Sequence, residues 1–178
     1  MNKLLITALV LLAFIGCKTP EARKPISMKT GSFIDASVER NKKLNAKEQA
    51  AIKQIMEQDE NTYTASESGF WYYYNTKSEI DSLKTPNFGD IVNYNYNVKA
   101  LNNDLIYSKS DIKTQTYAMD KEELFTGLRE GLKLMKTGET VTFIFPSQKA
   151  YGYYGDENKI GRNMPLICEV TVNSITQQ

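Results

Sequence analysis

The chain contains 11 tyrosines, 22 basic and 21 acidic residues, and no histidine. Without imidazole there is no Ser–His or Cys–His nucleophile pair, no histidine acid or base, and no histidine metal ligand. Chemistry falls to carboxylates, phenols, lysines or the shape of an apolar hollow, and neither a cofactor nor a metal is expected. The near-cancellation of charge leaves no broad basic field, so nucleic acid is not an expected partner. Tyr151 lies in a loop between Pro146 and Gly152, where a phenol can donate a hydrogen bond to a ligand carbonyl. Cys168 shares the apolar face of a strand-like run with Leu166, Val170 and Val172. It reads as a small buried hydrophobe and not as a reactive thiol.

Cys17 follows a different logic. Residues 1–16 read as a secretory signal peptide, with Lys3, an apolar run from Leu4 to Ile15 and a small Gly16. The run is too short to span a bilayer permanently. Phe14-Ile15-Gly16-Cys17 is similar to a bacterial lipobox, with Phe14 where Leu is more usual. In that motif the cysteine becomes the lipidated first residue. The other reading is a plain signal peptide with an incidental cysteine. Several acyl chains on Cys17 give a firm membrane anchor, and lipidation leaves Cys168 without an intramolecular disulfide partner. The sequel Lys18-Thr19-Pro20 favours a lipid-anchored, periplasm-facing place in the cell envelope.

The elements that must hold these residues follow in order. Residues 17–43 are polar, with Pro20, Pro25 and Gly31, and predict a flexible tether. Residues 44–65 predict a helical arm. Asn45 and Glu48 have capping-box spacing, and Ala51, Ile52, Ile55 and Met56 make a stripe between Ala46 and Glu57. Such a helix either lies on the domain or serves as a dimer arm; three turns favour the first. Residues 66–178 change to strand patterns. Phe70 to Tyr74 is aromatic, Val92, Tyr94, Tyr96 and Val98 alternate with polar residues, and Val141 to Phe145 alternates again. Asn102-Asn103-Asp104 predicts a turn before an extended Leu105 to Ser108. Asp120 and Glu123 predict the cap of a helix bearing Leu124, Phe125, Leu128, Leu132 and Met135. The fold class is α+β, an antiparallel sheet around one short helix, with an N-terminal helix and tether.

Three blocks within residues 67–176 resemble the FKBP-type peptidyl-prolyl cis-trans isomerases. Gly89-Asp90-Ile91-Val92 through Tyr96 is similar to the family's first core strand. Leu124-Phe125-Thr126-Gly127-Leu128 through Met135, with Thr137-Gly138-Glu139, Pro146 and Ala150-Tyr151-Gly152, has the family's spacing. Pro165 to Val170 resembles its last strand. With the lipobox in front, the chain resembles the gliding-motility-associated FKBP-type lipoproteins of Bacteroidota.

The resemblance implies an isomerase whose partners are proline-containing polypeptides, assisting the folding of exported proteins. It implies Tyr96 as a pocket wall and Phe125, through its backbone N–H, and Tyr151, through its hydroxyl, as donors to the substrate. Leu124 would contact substrate, Leu128 would be the floor, and Ile160 would close the pocket from the loop before the last strand. For Tyr96 and Leu128 a purely structural place in the core stands beside that role. The chain also departs from the family. Ile106-Tyr107-Ser108-Lys109 stands where the family has a pocket acid, Cys168 where it has a large aromatic, and Ile160-Gly161 where it has Ile-Pro. These departures imply weak activity or an FKBP-fold chaperone or binding scaffold as the alternative.

Overall fold

A computed structural model of the chain describes residues 30–178, with side chains from residue 34 on. The expected signal peptide, Cys17 and the start of the tether lie outside the described residues. The described elements are helix α1 (Thr30–Gln58), strands β1 (Thr64–Ala65), β2 (Trp71–Thr76), β3 (Ile91–Tyr96), β4 (Val98–Ala100) and β5 (Leu105–Tyr107), then helix α2 (Lys109–Ile112) and β6 (Gln115–Ala118). Helix α3 (Thr126–Leu132), β7 (Thr140–Phe145), a 3-10 turn (Ser147–Lys149) and β8 (Leu166–Thr176) complete them. Residues Glu39–Gln178 form one compact unit, which holds every described strand.

All strand pairs are antiparallel, in the order β1-β2-β7-β8-β3-β6, with β4 paired to β5 and β8. β8 is the spine, because it pairs with β7, β3 and β4. Strand side chains alternate between faces, and here both faces are covered. On one face Leu166, Cys168, Val170 and Val172 of β8 join Phe143 and Phe145 of β7, Tyr94 and Tyr96 of β3, and Leu128 and Leu132 of α3 in one core. On the other, Ile144 and Ile167 are buried with Ile52 of α1, flanked by Ile55, Met56 and Trp71.

Gly127 permits the close approach of α3. A Cβ there would lie 2.8 Å from the Lys149 carbonyl oxygen and 2.5 Å from the Phe145 ring. A hydrogen is all that fits. The loop after β7 therefore packs directly on the helix.

The structure changes three expectations. First, α1 begins at Thr30, inside the 17–43 stretch expected to be a flexible tether. That stretch includes good helix formers and a Lys42–Glu39 ion pair at 3.1 Å, but its apolar residues Ile34 and Val38 stay exposed. Helical periodicity in sequence reports a buried face, so an exposed helix leaves no such trace. Second, Asn45 and Glu48 lie inside α1 and cap nothing; Glu48 is buried. Third, α3 starts at Thr126 with Phe125 as its N-cap. Asp120 is instead a left-handed turn residue (φ 59°) whose carboxylate meets Lys133 at 3.1 Å. No helix among the described residues is long and apolar enough to cross a membrane.

Candidate active site

Segments distant in sequence converge in the α3-facing core. Tyr96 ends β3, Ile106 and Tyr107 lie on β5, and Leu124 and Phe125 lead into α3, which carries Leu128. Tyr151 and Ile160 come from the loop between β7 and β8, and Cys168 from β8. All nine side chains belong to one apolar cluster. A cleft of about 520 Å³ opens beside it, lined by Glu122, Glu123, Leu124, Phe125, Arg129 and Tyr151. Leu124, Phe125 and Tyr151 thus stand on the wall. Tyr96, Leu128, Ile160 and Cys168 are buried in the cluster without lining the cleft. Leu128, for which a place as floor and a place in the core both stood open, has no exposed surface and packs within the core cluster. A larger hollow of about 820 Å³ lies between α1 and the β4–β5 turn, and none of these residues reaches it.

Phe125 has extended backbone geometry (φ −60°, ψ 140°) at the start of α3, so its N–H stands outside the helical ladder. Its ring packs 5.2 Å from the Tyr151 ring and edge-on to Phe145 at 5.5 Å. Tilted aromatic pairs of this kind are mutually favourable and rigid. They fix the orientation of the Tyr151 phenol.

Tyr96 is buried and Tyr151 half-buried. Burial pushes the Tyr96 hydroxyl well up, and Tyr151 and Tyr94 push it further. Burial also raises Tyr151, with Cys168 and Asp156 adding and the contact with Tyr96 opposing. A phenol raised in this way keeps its proton at neutral pH. Tyr151 therefore brings a protonated hydroxyl to the wall of the cleft. Burial alone drives the Cys168 thiol far up, so no thiolate is available for chemistry.

Asp156 escaped the sequence reading. Its Oδ2 accepts the Tyr107 hydroxyl at 2.5 Å, while Oδ1 accepts the N–H groups of Asn158 at 2.9 Å and Ile160 at 2.7 Å. Asp156 thus ties the loop between β7 and β8 to β5 through Tyr107. Asp156-Glu157-Asn158 does carry a turn signal, an acid whose side chain takes backbone N–H groups just ahead of it. Its partner Tyr107, 49 positions away, carries no such signal. Glu48, whose spacing from Asn45 suggested a cap, instead accepts the N–H and the hydroxyl of Ser147 at 2.9 and 2.7 Å.

The described site is thus a sheet wrapped on a short helix, with Leu124, Phe125 and Tyr151 on the wall of a cleft whose rim carries Glu122, Glu123 and Arg129. A model of the FKBP-type peptidyl-prolyl cis-trans isomerase family matches residues 83–173, slightly more than half of the chain, and the chain belongs to that family. It is 29% identical over 92 residues to the probable FKBP-type peptidyl-prolyl cis-trans isomerase FkpA of Neisseria meningitidis, covering 52% of this chain and 34% of that protein. The chain thus spans about a third of that relative's length. Among solved structures, a peptidyl-prolyl cis-trans isomerase from Pseudomonas syringae is similar with a TM-score of 0.62 at 18% identity, over 76% of this chain and 96% of that one. FkpA from Escherichia coli is similar with a TM-score of 0.60 at 20% identity, over 99% and 83%. These two likenesses are of fold.

Proposed function

We propose that the chain is a peptidyl-prolyl cis-trans isomerase acting on proline-containing polypeptides in the cell envelope, where a lipid on Cys17 anchors it. Rotating an X-Pro amide crosses a resonance barrier of about 18–20 kcal/mol and breaks no bond. The planar amide is the more polar form, so a water-poor apolar wall disfavours it relative to the twisted form. Leu124 and Phe125 provide that wall, with Ile106, Tyr107, Leu128, Ile160 and Cys168 packed around it. The Tyr151 hydroxyl holds the substrate carbonyl, with the Phe125 N–H as a further donor and Tyr96 packed behind the wall in the same cluster. The observation that carries this reading is the place of Tyr151 on the cleft wall beside Leu124 and Phe125, its ring packed 5.2 Å from that of Phe125.

The wholly buried Leu128 and Cys168 favour a second reading. A cleft without an exposed aromatic floor grips a proline ring weakly, and the fold then serves as a chaperone or binding scaffold. Under either reading, clients among exported proteins, including gliding or secretion machinery, follow from the signal peptide and lipobox pattern. Protease-coupled cleavage of Xaa-Pro tetrapeptides by the mature chain carrying Cys17→Ser separates the two. Acceleration above the solvent rate supports the enzyme, and a rate equal to the control leaves the scaffold. Incorporation of labelled palmitate into the unsubstituted chain, absent in Cys17→Ser, tests the anchor.

A further inference from the structure

We propose that Glu48 of the N-terminal helix is a positioning residue for Tyr151, a reading that rests on the isomerase proposal above. Glu48 and Ile52 are one turn apart and share a face of α1. The burial of Ile52 against Ile144 and Ile167 holds that face on the sheet. Glu48 is thereby placed against Ser147, the first residue of the 3-10 turn after β7. Both are nearly inaccessible, at 6% and 2% exposure.

The hydrogen bonds run in series. The two carboxylate oxygens of Glu48 take both donors of Ser147, its N–H at 2.9 Å and its hydroxyl at 2.7 Å. The Ser147 carbonyl in turn accepts the N–H of Ala150 at 3.0 Å and of Gly152 at 2.8 Å. Those are the residues on either side of Tyr151. A single carboxylate thus fixes Ser147, whose carbonyl in the next peptide unit holds the backbone on both sides of Tyr151. Burying a carboxylate is costly unless charge-assisted hydrogen bonds compensate it, and an apolar residue would serve stability as well. What an apolar residue could not do is hold both donors of Ser147. The helix is accordingly part of the site, although no atom of it touches the cleft that holds Tyr151.

The test uses the mature chain with Glu48→Gln, Tyr151→Phe and the double variant, together with Ser147→Ala. Glutamine keeps the shape but removes the charge, and its amide nitrogen can only donate, so the Ser147 hydroxyl must turn from donor to acceptor. We expect Glu48→Gln to lower kcat/KM roughly tenfold, mainly through kcat, and Ser147→Ala to move it less in the same direction. In the Tyr151→Phe background the Glu48→Gln change should cost no more than about twofold, because two residues acting through one hydroxyl are not additive. Amide exchange of Ala150 and Gly152 should quicken about tenfold while Phe143 and Cys168 are unchanged. Equal losses in both backgrounds, uniform quickening across the sheet, or unchanged exchange at Ala150 and Gly152 would overturn the proposal. If the unsubstituted chain shows no isomerisation, the enzyme reading falls, and the exchange pattern alone decides whether Glu48 orders the loop.

Discussion

Tyr107 donates its phenol hydrogen to Asp156 across 2.5 Å, fastening β5 to the loop that carries Ile160. The other oxygen of the same carboxylate holds the Ile160 N–H at 2.7 Å. Ile160 is consequently buried although the residues on either side of it are exposed. Gly155 completes the closure: it sits at φ +73°, and a Cβ there would overlap the Ile160 carbonyl. A place filled by an acid on the strand in the family is here a two-residue clasp between strand and loop.

The clasp has a pH signature. Burial raises the Asp156 carboxyl, but the Tyr107 hydroxyl and the N–H groups of Asn158 and Ile160 outweigh it, leaving it below its ordinary 3.8. A carboxyl lowered in the folded state adds stability that is complete above the unfolded value and lost as pH falls through the folded one. Limited proteolysis between residues 152 and 161 should therefore stay slow down to about pH 4 and accelerate below it. Asp156→Asn should cleave faster at neutral pH and lose the acid dependence, and Tyr107→Phe should shift that dependence to higher pH.

Tyr151→Phe keeps the ring against Phe125 and removes only the donor. A single neutral hydrogen bond is worth about 1 kcal/mol, so kcat/KM should fall about five- to tenfold with little change in melting temperature. Tyr96→Phe should cost less, since Tyr96 is buried behind the wall and does not line the cleft. Because burial raises the Tyr151 phenol above its ordinary 10.0, kcat/KM should be flat from neutral pH to about pH 10 and fall only above it. A fall near pH 6 to 7 would count against this phenol as the titrating donor.

Gly127→Ala places a methyl group against the Lys149 carbonyl and the Phe145 ring. Overpacking of this kind costs roughly 1–3 kcal/mol, to be read from urea unfolding. Because the displaced backbone belongs to the turn leading to Tyr151, activity should fall by more than the unfolded fraction accounts for.

Ile52→Ala should destabilise the chain by about 2–5 kcal/mol in urea unfolding, as large-to-small core changes do. Ile34→Ala, at a residue 61% exposed, should be within about 0.5 kcal/mol of neutral. A small effect at Ile52 would mean that the helix is not needed to cover Ile144 and Ile167.

The alternating strands β3, β7 and β8 could be read along the chain because each presents one apolar face to the α3-side core, and a period of two records that directly. β6 left no such record: Gln115, Thr116 and Ala118 are polar or small, and only Tyr117 is buried. Helix α1 was legible only where Ala51, Ile52, Ile55 and Met56 meet the sheet or its rim, and its exposed first half was read as tether. Leu124, Phe125 and Tyr151 could be picked out because glycines and aromatics at fixed spacing mark them locally.

Sequence by itself determined the family blocks, the strand faces and the absence of imidazole chemistry, since each is written in neighbouring residues. Tertiary structure alone decided that Leu128 lies beyond reach of the cleft, that Asp156 answers Tyr107, and that Glu48 answers Ser147. Those pairings join positions 49 and 99 residues apart. A hydrogen bond requires its two atoms within about 3 Å, and only the folded chain sets the distance between them.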